Sequence, residues 1–195
     1  MDQQLAAGAE AVIERSDNLI IKRRMPKNYR LPDLDTRIRS TRTRMEAKLL
    51  SEARRCGVPT PIIHDVDLMN YTITMEFIAG QPLKNVLDMR VSERVGELVG
   101  RLHGCGIIHG DLTTSNLILN DADNRIYFID FGLGYFERNV ESQGVDVHVL
   151  FQTFMSTHGD PGLEGAFSAG YRRTFTGADQ VLDRVREIEA RGRYR

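Results

Sequence analysis

The sequence predicts an α+β fold of two lobes, a small β-rich lobe carrying one long helix and a reduced, mainly helical lobe. Three observations predict it. Paired β-rich runs precede about residue 78, a single long helical stretch lies between them, and helical periodicity takes over from about Leu83. With 195 residues and 41% apolar composition the chain can bury a real core as one domain. The N-lobe is expected over about residues 1–78, the C-lobe over about 79–190, and a basic tail over 191–195.

In chain order, AVIERSDNLIIKRR reads as two strands around the turn residues Ser16, Asp17 and Asn18, with Lys22 closing the second run. Pro26 and Pro32 interrupt the chain, and Asp33 or Asp35 can cap a helix running to about Cys56, with Gly57 as its stop. Ile38, Met45, Leu49 and Ala53 fall near one stripe of that helix and leave its arginines outward. VPTPIIHDVD and YTITMEFIAG form a second strand pair, joined through Met69 and Asn70 and broken at Gly80 and Pro82. Val91, Val95, Leu98, Val99 and Leu102 then recur at three- and four-residue spacing. LILN and RIYFID make another hairpin around Asp121, Asp123 and Asn124, and helical patterns resume from about Gln143.

Composition narrows the class. No apolar run approaches the roughly 20 residues that cross a bilayer, and MDQQLAAGAE lacks the regions of a secretory signal, so a soluble, cytoplasmic protein without membrane contact is expected. Cys56 and Cys105 have neither CxxC spacing nor neighbouring ligands, which favours two free buried thiols over a disulfide framework or a zinc site. The net charge of −1 conceals segregation: residues 22–55 hold twelve Lys or Arg against four Asp or Glu, and the last 25 residues hold seven Arg against four acids. Such segments can neutralise phosphates of a polyanion such as nucleic acid, or simply form a solvated helix face.

The chemistry concentrates in IIHGDLTTSN at residues 107–116, followed by Asp130-Phe-Gly. Phosphoryl transfer from ATP needs a carboxylate to position and deprotonate the acceptor, and oxygen ligands for magnesium. Asp111 and Asn116 have the D-x-x-x-x-N spacing of a kinase catalytic loop, and Asp130 stands in the place of the D-F-G aspartate. Lys22, on a strand, can hold the α- and β-phosphates, and Glu46, on the long helix, can hold that lysine. The bland alternatives are a basic strand end beside Arg23 and Arg24, and a surface acid paired with Arg42. MEFI at 75–78 falls between the lobes, where backbone groups of Glu76 and Ile78 can meet an adenine; a buried edge strand explains the same residues. His109 fits a packing role in the loop better than a general base.

Some kinase features are missing from the sequence. GAEA at residues 8–11 occupies the place of a G-x-G-x-x-G loop, no A-P-E follows D-F-G, and Gly110 replaces the arginine of H-R-D. A long regulatory activation loop is therefore not expected, and activation by a partner is.

GAEA, LIIKRR, PKNYRLPDLD, TRTRMEAKLLSEAR, GVPTP, MEFIAG, IIHGDLTTSN, IDFGLG and the basic tail together closely resemble the small atypical serine/threonine kinase subunit of the KEOPS complex. The resemblance covers nearly the whole chain and implies a minimal protein-kinase-like fold. It implies Lys22 and Glu46 as the ATP-positioning pair, Asp111 as catalytic aspartate, Asn116 and Asp130 as magnesium ligands, and Asp146 as a brace for the catalytic loop. It also implies a complex with a threonylcarbamoyl-transferase subunit and small accessory subunits, serving threonylcarbamoyladenosine formation in tRNA, with the helix at 37–55 and the tail Arg191–Arg195 as tRNA contacts. ATP hydrolysis and protein phosphorylation are both open there. Three competing readings remain: an aminoglycoside- or choline-kinase-like phosphotransferase, a RIO-type kinase that shares the HGD loop, and a non-catalytic tRNA-binding scaffold.

Overall fold

A computed structural model describes residues 3–7 and 11–192. Most of GAEA and of the basic tail lie outside the described residues, so the expectations placed on them are untouched. The N-terminal sheet has the order β1-β2-β3-β5-β4 and is antiparallel throughout. Its strands are β1 (Gln3–Ala7), β2 (Ala11–Ser16), β3 (Leu19–Arg24), β4 (Ile63–Asp67) and β5 (Thr72–Glu76). The expected hairpin closes at Asp17 with φ 52°, a left-handed conformation that aspartate tolerates.

Helix α1 (Pro32–Arg55) crosses between β3 and β4 in sequence and presents Glu46, Leu49, Leu50 and Ala53 inward. It starts two residues earlier than Asp33 as cap would require and four earlier than Asp35 would. Leu31 is its N-cap, Pro32 sets the first turn, and both aspartates lie inside that turn, where carboxylates suit the positive helix end. Arg39 donates to the Asp35 carboxylate at 2.6 Å and lies 3.9 Å above the Tyr71 ring, which ties the helix to the β4–β5 turn.

The second lobe is held by α2 (Met89–Gly104) and α4 (Gly162–Thr174), with α3 (Val140–Thr153) and α5 (Ala178–Gly192) packed beside them. Val91, Val95, Val99 and Leu102 of α2 are buried as their spacing predicts. A Cβ on Gly170 would stand 1.9 Å from the Glu93 carbonyl oxygen, so α4 can approach α2 this closely only with glycine there. Asn139 caps α3 by accepting from the Ser142 N–H at 2.7 Å, which starts the helix a few residues before Gln143. A π-helical turn at 154–158 follows.

Two small sheets complete the lobe. β6 (Gly80–Pro82), β8 (Leu117–Asn120) and β9 (Ile126–Phe128) form one, and β7 (Ile107–Ile108) pairs with β10 (Tyr135–Phe136) in the other. The β8–β9 pair is the expected hairpin. β6, β7 and β10 are two or three residues long, are not bounded by paired turn residues as β9 is, and left no signal in the sequence.

The cysteine expectation is corrected. Cys56 and Cys105 are joined in a disulfide, with a Cα–Cα distance of 6.5 Å, and no described cysteine is free. Each is the C-cap of its helix, and the packing of the end of α1 against the end of α2 brings them together. That proximity is tertiary, and spacing along the chain cannot reveal it. Among the described residues no helix is long and apolar enough to cross a membrane.

Candidate active site

Lys22 and Arg24 are two apart on β3 and share one face of the sheet, the face that α1 covers. Lys22 Nζ donates to Glu46 Oε1 at 2.6 Å and to Asp130 Oδ1 at 2.7 Å. Arg24 Nη2 pairs with the other Glu46 oxygen, Oε2. Glu46 is 1% exposed and pairs with both Lys22 and Arg24, so it is an interior anion shared by two strand cations. Burial disfavours the Lys22 ammonium, but the charges of Glu46 and Asp130 outweigh that and hold its pKa above the ordinary lysine value.

The loop after β7 is fixed from three sides. The buried Asp146 carboxylate, on α3, accepts the N–H of His109 at 2.8 Å through Oδ2 and that of Gly110 at 2.9 Å through Oδ1. Gly110 has φ 82°, and a Cβ there would lie 2.3 Å from the Leu133 carbonyl oxygen, which explains glycine where arginine is commoner. His109 is buried against Phe131, with ring centroids 4.5 Å apart. Its Nδ1 accepts from the Asp111 N–H at 3.3 Å, so Nε2 carries the proton and donates to the Ile129 carbonyl at 3.1 Å. Burial is the main cause that lowers its pKa, and the neutral ring serves as a packed strut.

Asn116 completes the loop. Its Nδ2 donates to the Asp111 carbonyl at 2.9 Å and to Asp111 Oδ2 at 3.0 Å, which leaves the amide oxygen available. Its carbonyl accepts the Ile129 N–H at 3.0 Å. Both backbone groups of Ile129 are thus bonded to the 109–116 loop, and the next residue, Asp130, is held in register with Asp111 and Asn116. Asp130 has φ 60°, a conformation that costs roughly 1 kcal/mol or more outside glycine and turns its carboxylate toward Lys22. Its side chain remains 42% exposed. Burial raises its pKa, but the Lys22 charge and hydrogen bond prevail and hold it below the usual carboxylate value.

The Glu76 N–H is donated to the Ile62 carbonyl at 2.8 Å, and its carboxylate accepts the Ile62 N–H at 3.1 Å. Any adenine contact at Glu76 therefore falls to its carbonyl. Ile78 is buried just beyond the end of β5, and its N–H enters no backbone hydrogen bond among the described residues. The structure thus joins Lys22, Glu46 and Asp130 in one network and Asp111 and Asn116 in the adjoining one. It adds Arg24, which sequence reasoning set aside as a neighbour of Lys22; the two-residue strand period was the available signal. A cavity of about 980 Å³ between α3, α4 and α5, lined by His148, Phe151, Met155, Glu164 and Ile188 among others, includes none of these residues.

The donor set suits magnesium. It consists of the Asp130 carboxylate and the Asn116 amide oxygen, and magnesium takes one or two carboxylates and completes its shell with water and phosphate oxygens. Among the described residues no group of three or more His, Cys, Asp or Glu gathers as a metal cluster.

Residues 21–160 match the RIO domain family. The chain is 54% identical over 198 aligned residues to a bifunctional tRNA threonylcarbamoyladenosine biosynthesis protein of Methanosarcina acetivorans, covering 98% of this chain and 36% of that protein. It therefore spans about a third of the length of the first curated relatives it matches. It is 47% identical to a serine/threonine-protein kinase BUD32 homolog of Archaeoglobus fulgidus, covering 96% of this chain and 94% of that one. Among solved structures it resembles the Rio2 kinase of Chaetomium thermophilum, in a complex with ADP, Mg2+ and phosphoaspartate. The TM-score is 0.64 at 16% identity, over 97% of this chain and 70% of that one, a likeness of fold. Matched by the RIO domain over most of its length and by a BUD32 homolog over nearly all of both chains, this chain belongs to the RIO-domain family of atypical kinases, with the BUD32 homologs.

Proposed function

We propose that this chain is a magnesium- and ATP-dependent kinase or ATPase that works in the cytoplasm, in threonylcarbamoyladenosine formation on tRNA. The single observation that carries the catalytic part is the pair of networks Lys22–Glu46–Asp130 and Asp111–Asn116, tied together through Ile129. Bound ATP would supply the γ-phosphoryl group, and magnesium would offset its charge. Lys22, already oriented by Glu46, would hold the phosphates with the ammonium proton its two acid partners leave over. Asp130 and the Asn116 amide oxygen would hold magnesium. Asp111, whose Oδ2 is engaged by Asn116, would take the proton of the attacking hydroxyl or water at its other oxygen. The Ile78 N–H and Glu76 carbonyl would meet the adenine.

Replacing Asp130 by Ala strips a charged ligand from magnesium, so magnesium-dependent phosphate release from ATP is expected to fall by at least about 100-fold. Magnesium-dependent release at the wild-type rate would refute the role.

The tRNA setting is supported by the names of the relatives and by the outer face of α1, where Arg37 and Arg44 are exposed and have no ion pair among those described. A threonylcarbamoyl-transferase subunit and accessory subunits are the proposed partners, and the tail from Arg191 a second phosphate contact. Replacing Arg37 and Arg44 together by Ala should weaken tRNA binding and make the log–log salt slope shallower by about 2, one unit per lost phosphate contact. An unaltered slope would remove α1 from the interface.

A further inference from the structure

Arg24 belongs to the charge structure of the site, although the proposed steps give it no part. It is 5% exposed, its guanidinium pairs with Glu46 Oε2, and Lys22 occupies Oε1 of the same carboxylate. A Cβ on Gly132, in the D-F-G turn, would lie 3.1 Å from Arg24 Nη2 and 3.6 Å from Lys22 Nζ, so both cations reach that turn. Among the described residues, Lys22, Arg24, Glu46 and Asp130 form a connected group of two cations and two anions.

In this group the second cation takes the Glu46 oxygen that the lysine does not. With Lys22 alone, the Glu46 carboxylate is free to rotate and to engage the ammonium with both oxygens, which draws it back from anything else. A guanidinium nitrogen on Oε2 holds that oxygen and leaves the other, Oε1, to the lysine. Lys22 then keeps a donor for a third partner, and Glu46 keeps a partner when Lys22 and Asp130 turn toward ligands.

We propose that Arg24 is a positioning residue that acts through Glu46, locking its carboxylate so that Lys22 is presented to the phosphates of a nucleoside triphosphate. This rests on the assignment of the Lys22–Asp130 cleft as the ATP site.

The test is a double-mutant cycle on magnesium-dependent phosphate release from ATP, with Arg24→Ala and Arg24→Lys each made in the wild-type and the Glu46→Gln backgrounds. Arg24→Ala is expected to lower kcat about 10- to 100-fold in the wild type, since small misplacements of a reacting group cost that much. In Glu46→Gln the same change should cost under about 3-fold, because the residue it acts through has lost its charge. Arg24→Lys should recover part of the loss in the wild type only. Equal losses in both backgrounds, or no loss, would overturn the proposal. If Arg24→Ala does not fold, Arg24→Lys in the two backgrounds decides, with a loss confined to the wild type as the supporting result and equal or absent losses as the overturning one. Should Glu46→Gln itself leave kcat unchanged, the assignment of the cleft fails as well as the role of Arg24.

Discussion

Replacing Asp111 by Ala should lower kcat for phosphate release from ATP by about 10²- to 10⁴-fold, the range for losing a positioned general base. Nucleotide affinity should change little. Asp111 makes no hydrogen bond or ion pair with Lys22 or Glu46 among the described residues, and its carboxylate accepts from Asn116 at Oδ2. On the proposed assignment the variant removes the group that would face the acceptor and leaves in place the cations that would face the phosphates. Steady-state kinetics together with nucleotide titration separate the two quantities, and a proportional loss of affinity would assign Asp111 to binding.

Asp146→Ala should act on the fold itself. The carboxylate is buried and accepts from the His109 N–H, the Gly110 N–H and His103 Nε2, the last at 3.3 Å. Its removal leaves two backbone donors without their partner and cuts the link through His103 to the Tyr171 hydroxyl. Breaking a buried charged network in this way costs about 3–5 kcal/mol, measurable by denaturant unfolding. The 109–116 loop would lose its brace, so turnover should fall as well; a stability within about 1 kcal/mol of the wild type would contradict the role. The stabilisation also depends on pH. Burial pushes the Asp146 pKa up, but the His103 hydrogen bond and charge, with the His109 contacts, hold it below the unfolded value. The contribution is therefore complete above the unfolded carboxyl pKa of about 3.9 and is lost as pH falls through the lower folded value. In the alanine variant that acid-limb loss should be absent.

Much of this site was legible because its signals are local. The D-x-x-x-x-N spacing is carried by one loop, and Asp130 follows a hairpin whose turn residues mark both strands. Lys22 and Glu46 were harder, because the pairing spans 24 residues, but a strand lysine followed by an amphipathic helix was enough to suggest it. Arg24 escaped because a Lys-Arg-Arg run reads as a solvated strand end. On β3 the pleat instead buries the first and third of these residues and leaves Arg23 exposed. The Cys56–Cys105 bond and the two-residue strands β7 and β10 depend on how distant segments meet, which no window of sequence contains. The start of α1 was misplaced because aspartates suit a helix's first turn as well as its cap.

The most direct measurement is magnesium-dependent phosphate release from ATP by the wild type and Asp111→Ala side by side, with tRNA and the threonylcarbamoyl-transferase subunit present and absent. The expected result is turnover in the wild type, with or without the partners, and background release in the variant. Equal turnover in both proteins would contradict it. So would ATP bound without turnover under every condition, which would leave a scaffold in place of an enzyme.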